Sequence, residues 1–185
     1  TEGAILPADL LQRIADGRAD GLTPADYHLA ANEKLNEAIN RAWNRCLGAW
    51  AAFARERERL LATDAGTTLT RERWLLILFQ ELGYGRLQLA RGLEVAGQSY
   101  PISHLWHLTP IHLTSYKQDL DRRGELHGAI RRSPHSLMQE FLNRSPDHLW
   151  GIISNGLRLR VLRDNVSLTR AAYVEFDLEA MMDGE

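Results

Sequence analysis

Arginine is the residue type in this chain whose spacing most directly indicates chemistry. Two clusters carry the pattern, the first made of Arg158, Arg160 and Arg163 and the second of Arg122, Arg123, Arg131 and Arg132. Guanidinium groups repeated on one surface bind phosphate oxygens and position a nucleic acid without reading its sequence. Between Lys117 and Arg170 ten lysine or arginine residues stand against six acids, although the whole chain has a net charge of −2. Both clusters predict phosphate contacts, with an ordinary solvated surface as the alternative.

Histidines offer a second possible chemistry, metal binding. Five of the seven lie close together in sequence: His104, His107, His112, His127 and His135. The His104-x-x-His107 spacing occurs in zinc sites, but the chain has no HExxH or CxxC motif and a single cysteine. We therefore expect structural or solvent-facing histidines and no metal site.

The first arginine cluster would be positioned by a β-hairpin. Asn155-Gly156 lies between two β-prone runs, a pattern typical of a two-residue type I′ turn in which both residues have positive φ. This turn would pair Ser154 with Leu157, Ile152 with Leu159 and Trp150 with Val161. Alternation of side chains then predicts an apolar face and an opposite, cationic face that carries Arg158 and Arg160.

A long helix is predicted in the first third of the chain. Apolar residues recur at three- and four-residue steps from about Ala31 to Ala62, among them Ile39, Trp43 and Trp50. The run Asp64-Ala65-Gly66-Thr67-Thr68 is typical of a linker. We predict a helical N-terminal subdomain over residues 1–66 and a second domain over residues 67–185.

The hairpin segment resembles a known family. Trp150-Gly151-x-x-Ser154-Asn155-Gly156-x-x-x-Arg160 is similar to a hairpin near the end of the nuclease-fold, PD-(D/E)xK-like domain of type IIG-like restriction–modification and phage-defence adenine-specific DNA methyltransferases. Tyr173-Val174-Glu175-Phe176-Asp177-Leu178-Glu179 resembles the segment that follows it. A third similarity covers residues 74–85, so the resemblance extends over residues 70–185.

The resemblance implies an α+β fold, a restriction-endonuclease-like mixed sheet flanked by helices. The predicted order agrees with it: a helix over residues 70–82, a hairpin over 93–102, a strand over 110–116, a helix over 133–143 and then the Asn-Gly hairpin. In that family an Asp on the second strand and an acid on the third bind a divalent metal, and a Lys two residues after the acid assists.

The family's metal-binding acids are missing from the expected positions. The second predicted strand reads Tyr100-Pro101-Ile102-Ser103-His104, and the third ends in Ser115-Tyr116-Lys117. Lys117 is thus retained while the carboxylate is replaced by a hydroxyl, which binds a hard cation far more weakly. The nearby acids that could substitute are Asp119, Asp121 and Glu81. We expect a decayed nuclease fold; an active Mg²⁺-dependent DNA endonuclease is the alternative.

The resemblance also implies partners. The chain contains neither the glycine-containing cofactor loop nor the Asn-Pro-Pro-Tyr loop of an adenine methyltransferase. We therefore expect S-adenosylmethionine and methyl transfer to belong to sequence beyond Glu185. The expected partners are double-stranded DNA, a downstream methyltransferase domain and other subunits of a defence system. A non-enzymatic protein-interaction scaffold built on the long helix is a further alternative.

Composition sets the remaining limits. The sequence has no secretory signal pattern and no apolar run of membrane-spanning length. Its one cysteine, Cys46, cannot form an internal disulfide. These features predict a cytoplasmic protein without a membrane partner.

Overall fold

The computed structural model describes most of the chain: residues 5–123, 125–126, 129–130, 132–164 and 172–184, with the backbone alone at 125–126 and 129–130. These residues form an α+β fold, in which a six-stranded mixed sheet carries helices on both faces. This agrees with the fold class predicted from the sequence. None of the described helices is both long and apolar enough to cross a bilayer.

The described helices are α1 (Leu10–Ala15), α2 (Leu35–Arg59), α3 (Thr67–Thr70), α4 (Leu76–Glu81), α5 (Pro134–Arg144) and α6 (Leu178–Asp183). Residues Arg71–Leu75, between α3 and α4, are π-helical, and Pro24–Tyr27 form a short 3-10 helix. The long helix predicted over residues 31–62 is α2, which is shorter at both ends because the backbone is extended at Lys34 and Leu60. α5 begins as predicted, with the Ser133 hydroxyl accepting the N–H of Ser136.

The described strands are β1 (Gln88–Leu89), β2 (Leu93–Val95), β3 (Gln98–Tyr100), β4 (His104–Trp106), β5 (Thr109–Leu113), β6 (Glu125–Leu126), β7 (Ala129–Ile130), β8 (Trp150–Ser154), β9 (Arg158–Arg163) and β10 (Tyr173–Asp177). The main sheet has the order β1-β4-β5-β8-β9-β10. Its neighbouring strands are antiparallel except β5 and β8, which are parallel and are connected through α5. A parallel pair needs such a crossover.

The hairpin predicted over residues 93–102 exists as β2 and β3, but it forms a separate two-stranded sheet. The strand beside β5 is β4, not residues 100–102 as the sequence suggested. Pro101 explains the difference, because its missing N–H cannot continue a ladder and the chain bends there, with the Ile102 N–H bonded to the Tyr100 carbonyl.

Two apolar cores lie on opposite faces of the main sheet. The first is formed with α2, α4 and the π-helical segment and contains Trp50, Phe53, Trp74, Ile111 and Ile152. The second lies under α5 and the β2–β3 hairpin and contains Tyr100, Met138, Phe141, Ile153 and Leu162. The second half of α2 therefore shares a core with the sheet, whereas no residue described before Cys46 is buried. The domain boundary after residue 66 stays a prediction.

Candidate nucleic-acid interface

The hairpin at Asn155-Gly156 is present, but its predicted register is wrong. Ser154 faces Leu159, Ile152 faces Val161 and Trp150 faces Arg163. Each partner lies two residues further along the chain than predicted, and residues 155–157 connect β8 to β9. Because side chains alternate with a period of two, a shift of two residues preserves the sidedness of the strands.

The turn differs because the Asn155 side chain replaces backbone hydrogen bonds. Its Oδ1 accepts the N–H groups of Leu157 (3.1 Å) and Arg158 (2.9 Å). Only Gly156 has a positive φ, of 86°, so a type I′ turn is excluded. The Gly156 carbonyl accepts a hydrogen bond of 2.8 Å from the Trp74 indole, which fixes the turn against the first core.

The face of the hairpin predicted to be cationic is largely buried. Ile152 and Leu159 occupy the first core, as expected for the apolar face. On the opposite face, Ile153 and Leu162 belong to the second core. Arg160, the cross-strand partner of Ile153, is on this face and is only 5% exposed.

Arg160 is neutralised by two carboxylates. Its Nη1 and Nη2 donate to the two oxygens of Asp121 at 2.6 and 2.7 Å, and its Nε donates to Glu175. The guanidinium also lies 4.5 Å from the centroid of the Tyr173 ring. Burial opposes its charge, but these hydrogen bonds keep the pKa of Arg160 above its ordinary value. They hold the pKa of the Asp121 carboxyl below its usual range.

Arg158 is half exposed and also paired. Its Nη1 lies 3.0 Å from Glu175 and its Nη2 lies 3.3 Å from Asp177. Arg158 and Arg160 together thus face three carboxylates, those of Asp121, Glu175 and Asp177. This balance leaves the paired part of the hairpin without excess positive charge.

Arg163, the third arginine of the first cluster, is exposed at the end of β9. Its guanidinium carbon lies 5.5 Å from the Trp150 ring centroid, a cation–π distance. Its carbonyl accepts a hydrogen bond of 3.3 Å from Gln139 on α5.

The second cluster lies beside the beginning of α5. Arg122 and Arg123 are exposed, and neither forms an ion pair with the residues the structure describes. Arg132 is 45% exposed and forms an ion pair of 3.0 Å with Glu140. Arg131 lies outside the described residues. The Leu120 carbonyl accepts the N–H of His135, which brings this turn against the first residues of α5.

Lys117 binds backbone carbonyls. Its ammonium lies 3.3, 3.3 and 2.6 Å from the carbonyl oxygens of Leu61, Ala62 and Asp64. Ser115, at the position of the family's carboxylate, donates its hydroxyl to the Ala65 carbonyl. Both side chains hold the segment that follows α2.

The three acids predicted as possible replacements also have hydrogen-bond or ion-pair partners, and the partners differ from one acid to the next. Asp119 Oδ1 accepts the backbone N–H groups of Asp121 and Arg122 at 2.7 and 3.1 Å. Asp121 binds Arg160, and both oxygens of Glu81 lie 3.2 Å from Arg45 Nη1. Among the described residues, no group of three His, Cys, Asp or Glu side chains could hold a metal ion. The arrangement around Lys117 does not fit Mg²⁺.

The histidines have different environments. His104 is 2% exposed and its Nδ1 lies 2.8 Å from the Ser103 hydroxyl. Burial, with a contribution from the charge of Arg71, lowers the pKa of both His104 and His112 to about 4. Burial also lowers the pKa of His135, which lies beside Arg160. His127 lies outside the described residues.

Two polar residues of interest were missed by the sequence analysis. Arg71 donates through Nε and Nη2 to the Leu113 carbonyl, at 2.9 and 2.7 Å. Nothing in the local sequence Thr70-Arg71-Glu72 indicates this contact. The sequence could have indicated Glu175, the partner of Arg158 and Arg160, because it is an acid in the strand that follows the arginine-bearing strand, and opposite charges on neighbouring strands tend to pair.

No family model, curated protein or solved structure matches this chain. The resemblance to restriction–modification and phage-defence methyltransferases therefore stays a prediction that rests on the quoted segments.

Proposed function

We propose that this chain is a non-cleaving nuclease-fold module that binds duplex DNA for an adenine-specific DNA methyltransferase of a restriction or phage-defence system. Two features support the proposal. The first is the family-like segments of β8–β10, and the second is a mixed sheet in which the parallel strands β5 and β8 are connected through α5. S-adenosylmethionine would bind to the methyltransferase domain of the same polypeptide. Other defence subunits and a cytoplasmic location belong to the same proposal.

The lack of cleavage is supported by the contacts of Lys117. A catalytic lysine must present its ammonium to a phosphate or to the attacking water. Here the ammonium is bonded to three carbonyls and the adjacent Ser115 hydroxyl is bonded to a fourth. No metal-binding trio of side chains accompanies them in the described part of the chain.

One observation carries the DNA-binding proposal: Asp121 turns its carboxylate toward Arg160, while Arg122 and Arg123 are exposed and form no ion pair with any residue that the structure describes. The turn is held by Asp119, whose side chain accepts two backbone N–H groups. Successive arginines on a fixed turn lose less conformational entropy on binding phosphates than arginines on a mobile loop.

Fluorescence anisotropy of a labelled duplex, measured over a series of salt concentrations, tests this proposal. Arg122→Ala plus Arg123→Ala should weaken binding about tenfold or more at low salt. It should reduce the slope of log K against log salt by roughly 2, because two phosphate contacts are lost. The control is Arg86→Ala plus Arg91→Ala, which removes the same charge from exposed positions beside β1.

Equal effects of the two double variants would mean that only net charge matters, and the proposed interface would be rejected. An unchanged affinity in both would remove Arg122 and Arg123 from the interface, and no binding by the wild type at low salt would remove DNA binding from the proposal. Arg158 and Arg163 are tested separately as single Ala variants, because Arg158 forms an ion pair with Glu175 whereas Arg163 lies over the Trp150 ring.

The alternative, an active endonuclease, is tested with plasmid DNA and Mg²⁺ or Mn²⁺. We expect no nicking by the wild type or by Lys117→Ala. Metal-dependent nicking that disappears in Lys117→Ala would instead establish a nuclease that uses this lysine.

A scaffold function is the second candidate, and exposed apolar side chains at the N-terminal end favour it. Leu11, Tyr27, Ile39 and Trp43 are between 38% and 59% exposed, all before the point where α2 enters the core. A defined oligomer combined with no DNA binding at low salt would favour this candidate over the first.

A further inference from the structure

A groove with a volume of about 460 Å³ runs along the outer side of α5. This volume is within the range of roughly 300–1,000 Å³ that small-molecule sites usually have. The residues that line the groove are all polar and have the spacing of one helix face: His135, Ser136, Gln139, Glu140, Asn143 and Arg144. A lining of this kind favours a ligand that forms hydrogen bonds.

Contacts with neighbouring elements hold two of the lining side chains in place. Arg144 Nη1 donates to the Gln98 side chain of β3 at 2.7 Å. Gln139 Nε2 donates to Asn143 Oδ1 at 2.8 Å and to the carbonyl of Arg163, at the end of β9, at 3.3 Å. Side chains that are held before binding lose less conformational entropy when a ligand arrives.

The groove has an excess of positive charge. Arg144 Nη2 lies 3.5 Å from the Glu140 carboxylate, which also lies 3.0 Å from Arg132 Nε and accepts the Tyr100 hydroxyl at 3.1 Å. One carboxylate therefore meets two guanidinium groups, and it is the one acid among the described lining residues. Burial lowers the pKa of His135, which keeps this imidazole neutral at pH 7.

The charge and the lining together indicate the chemistry of the ligand. An excess guanidinium favours a phosphate group, whose oxygens it binds strongly. The side chains of Ser136, Gln139 and Asn143 are uncharged and favour a neutral body with donors and acceptors. Carboxamides are common partners of adenine edges in DNA complexes. A phosphate joined to a sugar and a base has both parts.

We propose that the groove along α5 binds a nucleoside monophosphate unit, either as a free nucleotide or as part of a single DNA strand. Arg144 donates to the phosphate, and Gln139 and Asn143 form hydrogen bonds with the base or the sugar. The site is separate from the turn at Arg122 and Arg123. It does not depend on duplex binding at that turn.

The test is a titration of the full chain with adenosine 5′-monophosphate, followed through the side-chain amide resonances of Gln139 and Asn143. Potassium chloride at equal ionic strength is the reference. We expect saturable shifts with millimolar affinity or better. Adenosine, ribose 5-phosphate and inorganic phosphate each lack part of the ligand and should bind about fivefold or more weakly. In a second arm, a single-stranded oligodeoxyadenylate replaces the nucleotide; saturable shifts of the same amides would identify a DNA strand as the source.

Three variants locate the response. Arg144→Gln should weaken binding about fivefold or more, because the phosphate loses its cation. Glu140→Gln keeps an acceptor for Tyr100 but removes the negative charge, so binding should become about threefold tighter or more. Arg45→Gln is the matched control, since this exposed arginine also pairs with a glutamate, Glu81 at 3.2 Å, but lies on α2. It should leave binding unchanged. Circular dichroism and the thermal midpoint establish that each variant is folded.

The proposal is overturned if the nucleotide and the oligonucleotide both give only linear shifts equal to those given by chloride. It is also overturned if folded Arg144→Gln binds like the wild type, or if Glu140→Gln binds no more tightly. Equal affinities for ribose 5-phosphate and adenosine 5′-monophosphate would reject a nucleotide as the ligand.

Discussion

The indole Nε1 of Trp50 donates a hydrogen bond of 2.7 Å to the Asp183 carboxylate, which lies 133 residues further along the chain. Trp50 is on α2 and Asp183 is the last residue of α6, so this contact joins the long helix to the helix that follows β10. A second pair, Arg57 Nη1 to Glu179 at 2.9 Å, repeats the connection two turns further along α2. The second half of α2 is thus attached to α6, the helix that follows the last strand of the sheet.

We expect Trp50→Phe to lower the free energy of unfolding by about 2–4 kcal/mol. The change removes a buried hydrogen bond, leaves the Asp183 carboxylate without this donor and creates a cavity beside Phe53. Trp43→Phe, on the same helix but 38% exposed, is the matched control and should cost less than about 1 kcal/mol. Urea denaturation measures both. Equal costs would show that the Trp50 contacts do not stabilise the fold.

The buried ion pairs predict a large difference between two neighbouring arginines. Arg160→Ala removes the shared partner of Asp121 and Glu175 and should cost about 3 kcal/mol, because a buried side chain is lost and the partly buried Glu175 carboxylate loses its cation. Arg158→Ala, at a half-exposed side chain, should cost less than about 1 kcal/mol. Chemical denaturation of both variants at pH 7 distinguishes the roles. A small loss for Arg160→Ala would contradict a structural role for this residue.

Gly156 is expected to be irreplaceable for two separate reasons. Its φ is +86°, and an added Cβ would lie 2.7 Å from the Thr70 methyl group and 3.3 Å from the Trp74 ring. Gly97 has a similar φ of +74° but nothing within 4 Å of the same position. Gly97→Ala should therefore cost only the backbone strain, about 1 kcal/mol, and Gly156→Ala at least about 1 kcal/mol more. The difference in thermal or urea midpoints isolates the steric part; a null difference would argue against the close approach.

Stability should fall as the pH is lowered from about 6.5 to about 4. His104 and His112 have a pKa near 4 in the folded chain, below the value of 6.5 expected when unfolded, so the unfolded state binds more protons in this interval. Each histidine should contribute a loss of up to roughly 3 kcal/mol. Urea denaturation at pH 7, 6 and 5 measures the slope. His104→Gln and His112→Gln should each make the slope shallower, and a wild type of constant stability over this range would contradict the assignment.

Local signals in the sequence were sufficient wherever the physical cause lies within a few residues. Ser133-Pro134 predicted the start of α5 because a serine cap and a proline in the first turn act on adjacent backbone groups. The Asn155-Gly156 pair located the hairpin, and alternation gave the two faces of β8 and β9 correctly. The same alternation could not reveal that the second face is covered by α5.

The register of that hairpin was decided by tertiary contacts and by one side chain. A two-residue turn was the local preference, but the Asn155 carboxamide bonded to its own turn and Trp74 bonded to the Gly156 carbonyl, 82 residues away. A register shift of two residues leaves every side chain on the same face of the sheet, so the hydrophobic pattern alone cannot choose between the predicted and the observed register.

The sequence by itself determined the α+β class, the start of α5 and the positions of the arginine clusters, because periodicity, capping and turn chemistry act over short separations. Only the tertiary structure decided which charges are free. Arg160 meets Asp121 across 39 residues, Arg71 meets Leu113 across 42 and Lys117 meets Asp64 across 53. Contacts over such separations depend on how the sheet and helices pack, and electrostatic partners determine whether a basic side chain can bind a ligand.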